Sequence, residues 1–85
     1  MDKEIGIKRN RSIAQQLAAE IKRRGSSQHE VARELDVNYQ QLNDWLNGKS
    51  KSGAVPMPIV LETLAFLGSD AGDFIDQAEK LFRSM

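Results

Sequence analysis

Three glycines divide this chain into helical segments, and they constrain its fold more than any other feature of the sequence. Gly25, Gly48 and Gly68 each follow a run in which apolar residues recur at helical spacing. Glycine readily adopts the left-handed backbone conformation that commonly ends a helix, so each position predicts a helix end. No stretch of four or more residues alternates cleanly between apolar and polar side chains as a half-buried strand would. The sequence therefore predicts an all-α fold.

Capping residues predict where the first three helices begin. Ser12 followed by Gln15, and Ser27 followed by Glu30, have the capping-box spacing, in which the hydroxyl accepts a hydrogen bond from a free backbone N–H of the first turn. Asn38 is a good N-cap for a third helix. We therefore expect residues 1–11 to form a basic N-terminal arm ahead of a domain that spans residues 12–85.

Two more helices are expected after a loop. The stretch from Lys49 to Met57 is rich in Lys, Ser, Gly and Pro, which predicts an exposed loop. Pro58 suits the first turn of a fourth helix, because the missing N–H has no partner there. Ser69 or Asp70 would then cap a fifth, C-terminal helix over about 70–83.

Composition limits the classes of function. With 85 residues the chain has room for one modest core and not for a catalytic and a regulatory domain. It has no Cys and a single His, His29, which excludes a disulfide framework and makes a zinc cluster untenable. We expect no metal and no cofactor. No apolar run approaches the ~20 residues that span a bilayer, so we expect a cytoplasmic protein without a membrane segment.

The net charge of zero is the sum of two unequal halves. Residues 8–51 hold nine basic and five acidic side chains, residues 52–85 hold two and five, and residues 1–7 hold one and two. A basic surplus is the usual requirement for binding nucleic acid. The distribution predicts a polarised molecule, with DNA on the basic half and water or a protein partner on the acidic C-terminal half.

The segment from Ser27 to Lys49 reads SQHEVARELDVNYQQLNDWLNGK and resembles the helix-turn-helix of the phage repressor and Cro-like family, the lambda repressor-like or XRE type. The matching features are the Ser27-Gln28 opening, Ala32, Leu35, Val37, Leu42, Trp45 and the closing Asn47-Gly48-Lys49. Residues 13–24 resemble the family's first helix and residues 58–67 its fourth. The resemblance implies a compact five-helix lambda-repressor-like domain, with the helix-turn-helix over about 27–47, in a bacterial or phage-encoded, nucleoid-associated protein.

Physical reasons accompany the matching positions. Two short helices that meet at a steep angle need a small residue at their closest approach, and Ala32 supplies it. The turn needs a residue that tolerates a left-handed backbone. The family usually has Gly there, whereas this chain has Asp36, one of the few other side chains that adopt this conformation at modest cost.

The third helix is the expected reading helix. An amide side chain such as that of Gln40 both donates and accepts, which matches the major-groove edge of adenine. The candidate base-reading residues are Tyr39, Gln40, Gln41, Asn43 and Asp44. Gln28, at the start of the second helix, is a candidate phosphate-binding residue, and the resemblance implies further phosphate contacts from Asn47, with Lys49 and Lys51 just beyond it. Lys8, Arg9 and Arg11 are possible DNA contacts of the arm.

Several other residues have a simpler explanation. Trp45 falls on the face of Leu42 and is expected in the core, and an exposed His29 without a role is expected at the start of the second helix. Helix-start stabilisation and a solvated face account for the acidic residues of the fifth helix. Its apolar side chains cover the core or form a two-fold dimer contact; they are Phe74, Ile75, Leu81 and Phe82.

The sequence thus predicts a double-stranded DNA-binding transcription regulator, a repressor that binds a near-palindromic operator as a homodimer. Nothing in it resembles a nucleophile with its base, a phosphate loop or a metal site, so we expect no enzyme. The alternative is a protein-protein adaptor, or the antitoxin of a toxin pair, that uses the same fold to dock a protein partner.

Overall fold

The computed structural model describes residues 3–49 and 54–84, which form five helices and contain no strand. The helices are α1 (Lys3–Arg23), α2 (Gln28–Leu35), α3 (Tyr39–Leu46), α4 (Met57–Leu67) and α5 (Ala71–Ser84). The predicted all-α fold of five helices is confirmed, and the radius of gyration of 12.2 Å is that of a compact globule. Within these described ranges, no helix combines the length and the apolarity needed to cross a membrane.

One apolar core holds the five helices together. α1 packs against α5 and α3, and α2 packs against α3 and α4. Every helix contributes at least one fully or almost fully buried apolar side chain to the cluster, among them Leu17, Ile21, Val31, Leu42, Val60, Leu64 and Phe74. Trp45 is half-buried and packs against this cluster, as the sequence predicts.

The predicted helix ends are confirmed where they depend on backbone conformation. Gly25, Gly48 and Gly68 all have positive φ, at 73°, 68° and 70°. Asp36 has φ of 55° and ψ of 45° and is the non-glycine residue with positive φ among those described. The turn between α2 and α3 therefore has the left-handed residue that the sequence places there.

The start of α1 differs from the prediction. We expected Ser12 to cap this helix, but α1 begins at Lys3, so the described residues of the predicted arm belong to the helix. Ser12 is buried, and its hydroxyl donates to the backbone oxygen of Arg9 at 2.8 Å. The extension has a packing partner, because Arg9 forms an ion pair with Glu79 at 3.4 Å and lies 4.5 Å from the ring centre of Phe82. The contacts of Arg9 with α5 thus favour a helix that continues through Ser12.

The last two helices begin close to their predicted positions. α4 starts at Met57, with Pro56 before it and Pro58 as its second residue, where a missing N–H costs no hydrogen bond. The Asp70 carboxylate accepts from the backbone N–H of Asp73 at 3.1 Å and so caps α5. Residues 50–53 of the predicted loop lie outside the described residues.

A buried carboxylate that the sequence analysis did not single out joins α1 to the turn between α4 and α5. Glu20 is 3% exposed; it accepts hydrogen bonds from Arg23 at 3.0 and 2.7 Å, from Arg24 at 3.2 Å and from the Ser69 hydroxyl at 2.5 Å. The hydrogen bond with Arg23 contributes most to lowering the pKa of Glu20 from 4.5 to about 2, although burial opposes the shift. We call these four residues the Glu20 network.

Candidate nucleic-acid interface

Two side-chain caps and a left-handed turn set the angle between α2 and α3. The Ser27 hydroxyl accepts from the N–H of Glu30 at 3.2 Å, and the Asn38 side chain accepts from the N–H of Gln41 at 3.2 Å. After Asp36, the N–H of Val37 donates to the carbonyl of Ala32 at 2.9 Å. Ala32 is buried, as expected for the small residue at the closest approach. Both predicted caps and the predicted turn are confirmed.

The outer face of α3 carries polar side chains, while its inner face is apolar. Leu42 and Leu46 are buried in the core. All five candidate base-reading residues lie on α3; Tyr39, Gln40 and Gln41 are exposed, whereas Asn43 and Asp44 are half-buried. α3 therefore presents amide, hydroxyl and carboxylate groups to solvent on a rigid support.

An aromatic pair borders this face at the start of both helices. The rings of His29 and Tyr39 stack with centroids 4.0 Å apart and an interplanar angle of 12°. This contact of His29 could not be predicted, because residues ten positions apart on separate helices have no visible relation in the sequence. The stack restrains the Tyr39 ring and holds the beginning of α3 against the beginning of α2.

Three amide side chains form a network that crosses from α2 to the end of α3. The Asn43 amide nitrogen donates to the Gln28 side-chain oxygen at 3.0 Å. The Asn47 amide nitrogen donates to the Asn43 side-chain oxygen at 3.0 Å and to its carbonyl at 2.9 Å. We call Gln28, Asn43 and Asn47 the amide network. It leaves the side-chain N–H groups of Gln28 for a ligand, whereas Asn47 would have to give up these bonds to donate to a phosphate.

A second pair of candidate base-reading residues is bonded along α3. The Gln40 amide nitrogen donates to the Asp44 carboxylate at 3.1 Å, one helical turn away. The bond leaves the Gln40 carbonyl and one N–H, which are one acceptor and one donor, for a base edge. It also orients the amide, so that Gln40 needs little further ordering to bind.

The candidate cations lie in different surroundings. Lys8, Arg11 and Lys49 are exposed. Arg9 is paired with Glu79 on α5, which reduces its availability to a phosphate. Lys51 lies outside the described residues. Arg9 of the basic half thus pairs with Glu79 of the acidic half, and Arg23 and Arg24 pair with Glu20 within the basic half. The separation of positive and negative charge is therefore weaker in the folded structure than the charge count along the sequence predicts.

The candidate dimer residues of α5 are only partly at the surface. Phe74 is 2% exposed and belongs to the core, which removes it from any surface contact. Leu81 and Phe82 are half-buried, and Ile75 is 48% exposed.

A larger group of exposed apolar side chains, which was not predicted from the sequence, lies on α4 and consists of Met57, Leu61 and Phe66. The signal was present, because α4 is apolar around most of its circumference, more than one buried face requires.

No protein-family model matches this chain, and neither a curated protein nor a solved structure does.

Proposed function

We propose that this protein is a sequence-specific double-stranded DNA-binding transcription regulator with a lambda-repressor-like arrangement of its helices. The observation that carries the proposal is the α2–α3 unit. Two eight-residue helices are joined through a left-handed Asp36, and the second presents a polar face on an apolar support. A helix of this kind fits the major groove, where its side chains read base edges.

Base reading and backbone binding fall to different parts of this unit. Gln40 and Gln41 lie on the outer face of α3, where an amide pairs with adenine. Gln28 lies in the first turn of α2, whose free N–H groups and positive dipole end favour a phosphate, and Lys49 follows α3. Phosphate contacts then fix the register of the protein, and base contacts select the sequence.

The test is selection of bound sites from a random duplex pool, followed by footprinting. A repressor that acts as a homodimer should select a near-palindromic site whose half-sites lie ~10 bp, or ~34 Å, apart. Recovery of no enriched sequence, with no affinity for duplex DNA at low salt, contradicts the proposal.

The homodimer of this proposal uses α4. Met57, Leu61 and Ala65 are exposed and spaced four residues apart, so they form one ridge along the helix. In the proposed dimer, the α4 helices of two copies pack antiparallel, with the two-fold axis at Leu61. This arrangement places the long Met57 side chain of each copy opposite the short Ala65 of the other. The ridge is therefore complementary to itself, which an interface between two identical surfaces requires.

Two substitutions at matched exposure locate the dimer contact. Leu61 on α4 is 52% exposed and Ile75 on α5 is 48% exposed. We expect Leu61→Lys to convert dimers to monomers in sedimentation experiments, and Ile75→Lys to leave the association constant within about threefold of wild type. The reverse result assigns the dimer contact to α5.

The exposed apolar residues of α4 also support a second candidate, a protein-protein adaptor or antitoxin. Carboxylates of Glu34 and Glu62 border the groove formed by Leu35, Ala65 and Phe66, which suits a protein surface better than a nucleic acid. Measuring the binding of the protein to random duplex DNA distinguishes the two candidate functions. A regulator binds it at low salt with an affinity that falls steeply as salt rises, and an adaptor does not.

A further inference from the structure

We propose that a cleft between α1 and the end of α3 binds a backbone phosphate of duplex DNA through Arg11; this inference rests on the proposed function. The cleft has a volume of about 320 Å³ and is lined by Arg11, Ala14, Gln15, Leu46, Asn47 and Gly48. From the sequence, Arg11 is expected in the N-terminal arm. The structure places it on α1, beside the C-terminal end of the proposed reading helix.

The backbone of α3 explains why Arg11 reaches this position. Gly48 ends α3 with φ of +68°, and the Arg11 Cγ lies 3.6 Å from the point where a Cβ on Gly48 would stand. The aliphatic part of the Arg11 side chain therefore lies beside the turn that follows α3, close to the position that a side chain on residue 48 would occupy. A long side chain can lay its stem along such a surface while its charged end stays in water, and Arg11 as a whole is exposed.

The groups that line the cleft suit an anion. The Arg11 guanidinium and the Gln15 amide are hydrogen-bond donors, and none of the described residues that line the cleft carries a carboxylate. A guanidinium matches the geometry of two phosphate oxygens and binds them with two parallel hydrogen bonds. Gln15 is exposed at the same opening and supplies a neutral donor beside the charge, whereas the Asn47 amide already donates within the amide network.

Arg11 also differs from most other arginines in having its charge uncompensated. Carboxylates pair with the guanidinium groups of Arg9, Arg23, Arg24 and Arg83. Among the described residues, Arg11 and Arg33 have no such ion pair, and of these two only Arg11 lines the cleft. Its charge is therefore available to a ligand at no cost in broken ion pairs.

The ligand is a phosphate of DNA rather than a free anion, because Arg11 is the one cation among the described residues that line the cleft and the cleft is open to solvent. A single exposed guanidinium holds an isolated anion weakly, since water and salt screen the attraction. A phosphate that α2 and α3 already hold near the cleft has a high effective concentration there. Arg11 thus adds one backbone contact to those of Gln28 and Lys49.

The test is the salt dependence of binding to a fluorescent duplex of random sequence, measured by anisotropy. Each phosphate contact contributes about 0.9 to the slope of log K against log salt. We expect Arg11→Gln to reduce the slope by about one and the affinity at low salt by on the order of tenfold. Arg11→Lys keeps the charge and should retain most of the slope. Arg83→Gln, the control, removes a paired arginine of α5 and should change neither quantity.

A second variant tests the same inference in case Arg11→Gln does not fold. Gln15→Glu places a carboxylate in the cleft and should also weaken binding to every duplex. If both variants fold, as judged by thermal unfolding, and bind DNA with the wild-type slope, the inference is wrong and the proposed function stands. If the wild-type protein binds no DNA at low salt, both are wrong.

A titration with inorganic phosphate at constant ionic strength distinguishes the two sources of the anion. We expect the amide resonances of Gln15 and Gly48 to shift only weakly, without saturation below 10 mM, roughly the limit for a single exposed charge pair. Saturation at submillimolar phosphate that is lost in Arg11→Gln would identify a free-anion site and overturn DNA as the ligand.

Discussion

The Glu20 network and the amide network are both built from side-chain hydrogen bonds, but they differ in charge and in exposure. The Glu20 network centres on a buried carboxylate with a pKa lowered to about 2, and it joins α1 to the turn before α5. The amide network is neutral and lies beside the polar face of α3. A buried charge stabilises the fold only while its partners remain in place, whereas neutral amides can exchange one partner for another at small cost. The first therefore suits stability, and the second suits a surface that binds.

The largest effect is expected from removing the charge of the Glu20 network. Glu20→Gln should lower the free energy of unfolding at pH 7 by about 3 kcal/mol, the equivalent of the pKa shift from 4.5 to about 2. Urea denaturation measures it. The control is Glu34→Gln, on the exposed surface of α2, for which we expect a change below about 0.5 kcal/mol. Equal effects of the two changes would mean that Glu20 contributes no more than a surface carboxylate.

The pH dependence of stability should separate the two networks. The folded pKa of Glu20 lies below its ordinary value of 4.5, so its contribution is complete above about pH 4.5. The contribution is lost as the pH falls from there towards 2. The stability difference between wild type and Glu20→Gln should therefore shrink from about 3 kcal/mol towards zero over this range. A difference that stays constant down to pH 2.5 would contradict the role assigned to the carboxylate.

We expect the loss of a base contact on the α3 face to cost less binding free energy than the loss of the buried charge costs in free energy of unfolding. Gln40→Ala should reduce discrimination between the selected operator and a random duplex by ~1–3 kcal/mol of binding free energy, with little change in affinity for random DNA. Gln28→Ala and Lys49→Ala should weaken all duplexes alike. Competition binding assays measure both quantities. Equal losses in all three variants would show that α3 does not read the sequence.

The smallest effect on stability is expected within the amide network. Asn43→Ala breaks its bonds to Gln28 and Asn47 and should lower the free energy of unfolding by about 1 kcal/mol, because water replaces much of what is lost. This change should not vary between pH 7 and pH 3, since no titrating group takes part. Gln41→Ala, also on α3 but outside the network, is the matched control. If Asn43→Ala lowered the free energy of unfolding as much as Glu20→Gln does, the two networks would not differ in their contribution to stability.

Local features of the fold could be predicted from the sequence because their causes are local. Ser27 and Asn38 accept backbone hydrogen bonds three residues ahead, and Asp36 adopts a left-handed conformation within a single turn. The start of α1 could not be predicted in this way. Ser12 has the spacing of a cap, but the helix continues through it because distant residues of α5 pack on its N-terminal half.

The candidate site was predictable in its residue types and not in its connections. The amide side chains of α3 stand out in the sequence, but the bond from Asn43 to Gln28 joins two helices and leaves no periodic signal. The same holds for the stack of His29 on Tyr39 and for Arg11 beside Gly48. These contacts depend on the angle between helices, which many side chains set together.

By itself, the sequence determined that this protein is helical, where α2 and α3 begin and end, and which polar residues lie on α3, because capping, glycine conformation and apolar periodicity act over a few residues. Only the tertiary structure decided that Arg11 belongs to a helix beside the end of α3, that Phe74 is core, and that Glu20 is buried with its partners. Those outcomes depend on residues as far apart as Glu20 and Ser69, brought together by burial of the common core.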